Sequence, residues 1–93
     1  MNGRDPLAGI RDRFRTRMAQ VLAALEQPWG EQSGSLARAE AHKLAGVAAT
    51  LGYGEVGQAA AKVDALDAIA PDHPAVSALI QALQQALTQE EPS

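Results

Sequence analysis

Apolar residues recur at intervals of three and four in four separate stretches of the chain, and a proline or a glycine closes each of the first three. In the first stretch, Leu7, Ile10, Phe14, Met18, Val21, Leu22 and Leu25 fall on one stripe, the spacing of a helix with a single buried face. Asp5 stands at the expected N-cap and Pro6 at the first helical position, where its missing N–H is harmless. Arg11, Arg13, Arg15 and Arg17 lie off the stripe and are expected to face solvent. The pattern ends at Pro28, and residues 28–34, PWGEQSG, have the composition of a loop, with Trp29 expected to cap one end of the core.

A second stripe follows: Leu36, Ala37, Ala41, Leu44, Val47, Ala48 and Leu51, with Ser33 or Ser35 as its N-cap. Gly52 sits where a helix C-cap calls for positive φ, and Gly54 lets the chain turn again after Tyr53. The third stripe, Val56, Ala59, Ala60, Val63, Leu66 and Ile69 or Ala70, predicts a helix that stops before Pro71. Asp72 is placed to cap the fourth helix, which has Pro74 in its first turn and the stripe Val76, Leu79, Ile80, Leu83, Ala86 and Leu87.

Four amphipathic helices joined by short loops predict an all-α, antiparallel up-and-down four-helix bundle. One such bundle is expected to occupy residues 1–93, with an ordered core over about 5–88 and a polar tail, QEEPS, that frays. Composition sharpens this expectation. Alanine supplies 20 of the 93 residues, whereas Val, Ile, Thr, Phe, Tyr and Trp together supply 14 and never alternate as a strand would. Leu, Ile, Val and Phe total only 19, so the core must gain its density from alanines that let helix axes approach closely.

Length and charge narrow the function. A chain of 93 residues offers one core and one site. The absence of cysteine removes thiolate metal sites, disulfides and cysteine nucleophiles, leaving His42 and His73 as the soft ligands, so neither a metal nor a cofactor is expected. A net charge of -3 argues against nucleic acid as a partner. Residues 1–46 hold 7 basic and 5 acidic groups, while residues 47–93 hold one basic group, Lys62, and 6 acidic ones; this asymmetry fits opposite-signed faces of a solvated bundle. No apolar run reaches the roughly 20 residues needed to cross a bilayer. With no apolar leader in MNGRDPLAGIRDRFR, the expected location is the cytoplasm.

One position breaks the helical wheel. With Leu44 at zero and about 100° per residue, Ala37, Ala41, Ala48 and Leu51 fall within about 60° of it, and His42 falls near 160°. The imidazole therefore points away from the core. Around it at i-3, i+3, i+4 and i+7 stand Ala39, Ala45, Gly46 and Ala49, all small, where a solvent face normally carries Lys, Glu and Gln. Arg38 and Lys43 are the nearby cations. Gly46 costs a helix about 1 kcal/mol relative to alanine, in a chain that otherwise uses alanine freely. An alanine-rich helix that simply exposes a histidine would show the same pattern. The sharper reading is an accessible nucleophilic imidazole with docking space around it.

These residues carry a family resemblance. The segment AHKLAGVAATLG, Ala41 to Gly52, resembles the core motif of histidine-containing phosphotransfer (HPt) domains, roughly H-x-L-[KA]-G-x-[AS]-x-x-[LF]-G; His42, Leu44, Gly46, Ala48, Leu51 and Gly52 all match it. Val56 to Leu66 is similar to the apolar third helix of that family, so the likeness spans about residues 5–88 and is diagnostic over 38–66. The resemblance implies a phosphocarrier in a multistep two-component phosphorelay, phosphorylated on the ring nitrogen of His42 farther from the backbone. Its implied partners are the receiver domain of a response regulator, which supplies the magnesium and the acidic pocket, and a hybrid histidine kinase. Many members carry lysine three residues after the histidine; here that position is Ala45. The charge must then come from elsewhere: Lys43 and Arg38 are the local candidates, with Gln58 or Lys62 on the adjoining helix a weaker one.

No glycine-rich phosphate loop, nucleotide site or acid–base pair around His42 is evident, so no self-sufficient enzyme is expected. Glu40 is expected at the core edge, His73 as an ordinary surface histidine, and Asp64 and Asp67 on a solvated face. A kinase dimerisation helix pair fits poorly, because Lys43 occupies the place where such segments carry an acid. A membrane-surface helix on Arg4 to Arg17 conflicts with the acidic remainder. The competing reading from another class is a non-phosphorylated helical adaptor that binds through the Ala/Gly patch. The favoured expectation is a monomeric HPt bundle.

Overall fold

The computed structural model describes residues 8–88, which form four helices: α1 (Ala8–Glu26), α2 (Ser33–Ala48), α3 (Gly54–Asp64) and α4 (Pro74–Thr88). No strand occurs among the described residues. Asp5, Pro6 and Leu7, and the tail from residue 89, lie outside them. α2 packs on α3, α3 on α4, α4 on α1 and α1 on α2, the neighbour order of an up-and-down antiparallel bundle. Each helix turns its stripe inward, and Met18, Leu44, Val56, Val63, Val76, Leu79 and Leu83 are fully buried. Alanines fill the space between them: Ala41, Ala48 and Ala60 have no exposed surface at all.

The stripes are narrower than the periodicity predicts along one seam. Ile10 is 47% exposed, Leu36 61% and Val47 41%, although each was placed in the core by its spacing. Ile10 and Val47 line an open hollow between α1 and α2, beside Phe14, Arg13, Arg17 and Lys43. α1 meets α2 over much less surface than α3 does, which leaves the flank of both stripes uncovered. Nearer the α1–α2 loop, Trp29 packs against the core and its indole N–H donates to the Leu25 carbonyl at 3.1 Å.

Helix ends depart from expectation in instructive ways. Neither Ser33 nor Ser35 caps α2; Gln32 holds the N-cap position without a side-chain bond, and Ser33 Oγ instead accepts the Gly30 N–H at 2.8 Å. The other end behaves as the glycine predicts. Gly52 has φ +93°, Tyr53 N–H reaches back to the Ala48 carbonyl at 2.8 Å, and Gly52 N–H reaches Ala49 at 3.2 Å, the paired bonds of a Schellman cap. The Tyr53 ring then lies 5.6 Å from that of Phe14, joining the turn to α1.

α3 stops at Asp64, not before Pro71, and the carbonyls at and just beyond its end are taken by an arginine from α2. The Arg38 guanidinium donates to the carbonyls of Asp64 and Leu66, both at 2.6 Å, and to that of Asp67 at 3.4 Å. A second arginine makes a similar contact on α4: Arg15, expected in solvent, is half-buried and donates to the carbonyls of Ala86 at 3.1 Å and Leu87 at 3.0 Å. At the start of α4 the cap is His73, not Asp72, with Nδ1 accepting the Ala75 N–H at 3.0 Å.

Gly52→Ala is expected to destabilise the bundle by about 1–2 kcal/mol, the cost of a left-handed backbone for an L side chain. Gly9→Ala is expected to stabilise it by up to about 1 kcal/mol, since a methyl there would meet no atom of the described residues within 4 Å. Urea denaturation of both variants checks the pair.

Candidate functional site

The site is assembled along the contact between α2 and α3. Gly57 on α3 carries no side chain, and a Cβ there would lie 3.4 Å from the Ala48 methyl, 3.5 Å from the Ala49 nitrogen and 3.9 Å from the Ala45 carbonyl. Ala45, expected on the open face, is therefore half-buried against the core. Two turns along α3 from Gly57 stands Asp64, and two turns back along α2 from Ala49 stands His42. Because the helices run antiparallel, a close contact at one pair brings the other pair together.

His42 Nδ1 lies 3.0 Å from Asp64 Oδ2. A carboxylate can only accept, so the ring donates through Nδ1–H, and the neutral imidazole keeps its lone pair on Nε2. The side chain of His42 is 77% exposed, that of Asp64 33%. Nε2 has no protein partner among the described residues. Asp64 was expected on a solvated face, and no acid was expected beside His42; both readings are corrected here. The missing signal was topological. Asp64 becomes a neighbour of His42 only when α3 is laid antiparallel to α2 with Gly57 against Ala49.

Around the ring, Ala39, Gly46 and Ala49 are exposed. A Cβ at Gly46 would meet nothing within 4 Å, so the face is open in space and not only small in sequence. The cations are distributed differently from expectation. Arg38 is occupied by the α3 carbonyls. Lys43, one residue from His42, turns toward α1, with Nζ 4.0 Å from Glu40 Oε2; Glu40 also accepts from Arg17 at 2.9 Å. Gln58 and Lys62 line the groove between α3 and α4. Lys62 is two residues from Asp64, about 160° away around the helix, so it stands on the far side of α3 from the imidazole.

An exposed imidazole with a fixed donor nitrogen, an outward lone pair and an unobstructed approach is equipped to attack an electrophile carried by a large partner. The family model of the Hpt domain matches residues 9–91. The chain belongs to the Hpt domain family. Hpt domains serve phosphotransfer in two-component phosphorelays, working with response-regulator receivers and kinases. No curated protein and no solved structure matches the chain. Among the described residues, no helix is long and apolar enough to cross a membrane, and no group of three or more His, Cys, Asp or Glu side chains could hold a metal ion.

Gly57→Leu tests the geometry that joins the two helices. The larger side chain is expected to cost about 1–3 kcal/mol by overpacking and, in the protein that still folds, to separate Asp64 from His42. Thermal melting reads the first effect. Long-range 1H–15N spectra of the His42 ring read the second, as a shift from the Nδ1–H form toward the tautomer mixture of a free imidazole.

Proposed function

We propose that His42 is the phosphoacceptor, carrying a phosphoryl group between receiver-domain aspartates in a multistep two-component phosphorelay. The observation that carries this reading is the exposed imidazole whose Nδ1–H is bonded to Asp64 while Nε2 faces open space. The chain acts as a monomeric cytoplasmic carrier and needs no cofactor of its own. A hybrid kinase stands upstream, and the receiver contributes the magnesium and the acidic pocket.

The chemistry follows from the ring. The Nε2 lone pair attacks the phosphorus of the receiver's aspartyl phosphate, the P–O bond to that carboxylate breaks, and the carboxylate leaves with the bonding pair. The ring keeps its Nδ1 proton and passes from neutral to cationic. Asp64 Oδ2, 3.0 Å from that proton, lies where the positive charge develops. Transfer onward reverses the same steps. Ala39, Gly46 and Ala49 leave room for the receiver to bring its phosphoryl group to the ring, and Lys43 lies at the edge of that surface as a docking charge.

Incubation with a phosphorylated receiver and radiolabelled phosphate is expected to label His42 alone, in a bond labile to acid and stable to alkali. His42→Gln is expected to abolish labelling with helical content unchanged. Labelling that persists in His42→Gln, or that disappears in His73→Gln, overturns the assignment; receiver binding without any labelling favours a non-phosphorylated adaptor.

Gly46 separates docking from folding. Gly46→Gln is expected to leave the melting temperature at or above that of the parent, since the site is empty and glycine is the poorer helix former. Its transfer rate is expected to fall by on the order of 100-fold, because a displacement of about 1 Å between reacting atoms has that effect. Both measurements are made on one sample, and normal transfer would remove Gly46 from the docking surface.

A further inference from the structure

We propose that Arg38 is a positioning residue for the imidazole, fixing which nitrogen of His42 is the nucleophile by holding Asp64 in place. The proposal rests on the reading of His42 as the phosphoacceptor and concerns how that ring is set. Arg38 lies one turn before His42 on α2, so both side chains leave the same face of the helix and reach α3. They meet the same residue there. The guanidinium of Arg38 takes the Asp64 backbone carbonyl at 2.6 Å, and Nδ1 of His42 takes the Asp64 carboxylate at 3.0 Å. Asp64 is thus attached to α2 at two points one turn apart.

The attachment matters because Asp64 is poorly held by its own helix. It is the last residue of α3, where frayed ends are the rule, and its carboxylate sits at the negative end of the helix dipole. Beyond it the backbone tightens, with Leu66 N–H bonding to the Val63 carbonyl three residues back. No residue of α3 takes the carbonyls of Asp64 and Leu66. Arg38 takes both, with two nitrogens of one planar fork. Released from that fork, the end of α3 would fray and the carboxylate would leave Nδ1. A solvated imidazole then distributes its proton over both nitrogens, and the fraction with a lone pair on Nε2 falls.

Arg38→Lys discriminates this role from that of a simple cation near the phosphoryl group. Lysine keeps the charge but lacks the fork, so it cannot hold two carbonyls in fixed geometry. Three quantities are measured: the His42 tautomer ratio by long-range 1H–15N spectra, the single-turnover transfer rate at saturating phosphorylated receiver, and the receiver concentration at half-saturation. The Nδ1–H fraction is expected to move toward its value in Asp64→Ala. The transfer rate is expected to fall about three- to tenfold, the fold-change of one net hydrogen bond, with half-saturation changed less than about twofold. In an Asp64→Ala background, Arg38→Lys is expected to have no further effect on either ring or rate.

An unchanged tautomer ratio in Arg38→Lys overturns the proposal, as does an effect that persists at full size without Asp64. If the variant is too unstable, the comparison is repeated in Gly9→Ala protein, whose added methyl meets no atom of the described residues within 4 Å. If the parent protein takes no phosphate from any receiver, the phosphoacceptor reading falls. The ring spectra still decide whether Arg38 governs His42.

Discussion

Everything at the site depends on how closely two helices can lie. α2 and α3 approach until Gly57 is in van der Waals range of Ala48 and Ala49, an approach that a side chain at residue 57 larger than a methyl would prevent. The abundance of alanine, which at first only explains how a chain poor in large apolar residues fills its core, has a second effect here. It shortens the span between opposing surface groups. A carboxylate as short as that of aspartate reaches the histidine on the facing helix, and does so at the rim of the interface, where the ring remains exposed.

The second constraint is the termination of helices. α3 does not end in a glycine turn, and it leaves carbonyls with no partner in its own segment. Arg38 of α2 takes them, and Arg15 of α1 makes a similar two-donor contact with the carbonyls of Ala86 and Leu87 on α4. Each links residues far apart in sequence through two donors on a rigid plane. In a bundle with little aromatic packing, these polar clamps fix the axial register of one helix against another, which apolar contacts between small side chains specify weakly.

Most of the architecture was legible in the sequence, since periodicity marks helices whatever their neighbours. Gly52 was recognisable as a cap because positive φ is a local demand. His42 stood out because a ring surrounded by small residues is a property of one helix. What stayed hidden depends on the neighbour. Ile10, Leu36 and Val47 have the right spacing for the core, but the sparse contact between α1 and α2 leaves their flank uncovered. Arg15 and Arg38 read as solvated because their acceptors lie 71 and 26 residues away. Asp64 read as surface because its partner belongs to another helix, and its own stripe says nothing of register. His73 displaced Asp72 as a cap for a more local reason: a ring nitrogen at that position reaches the N–H two residues on.

That cap has a chemical consequence for the chain's two imidazoles. To accept the Ala75 N–H, Nδ1 of His73 must present its lone pair, so the neutral ring carries its hydrogen on Nε2. His42, donating from Nδ1, is its mirror. The same side chain thus occurs in opposite tautomers, set in one case by a backbone donor and in the other by a carboxylate acceptor. Toward an electrophile arriving from solvent, one ring offers a lone pair and the other an N–H. The protein separates its histidines by what it bonds to the inner nitrogen, before any difference in exposure is considered.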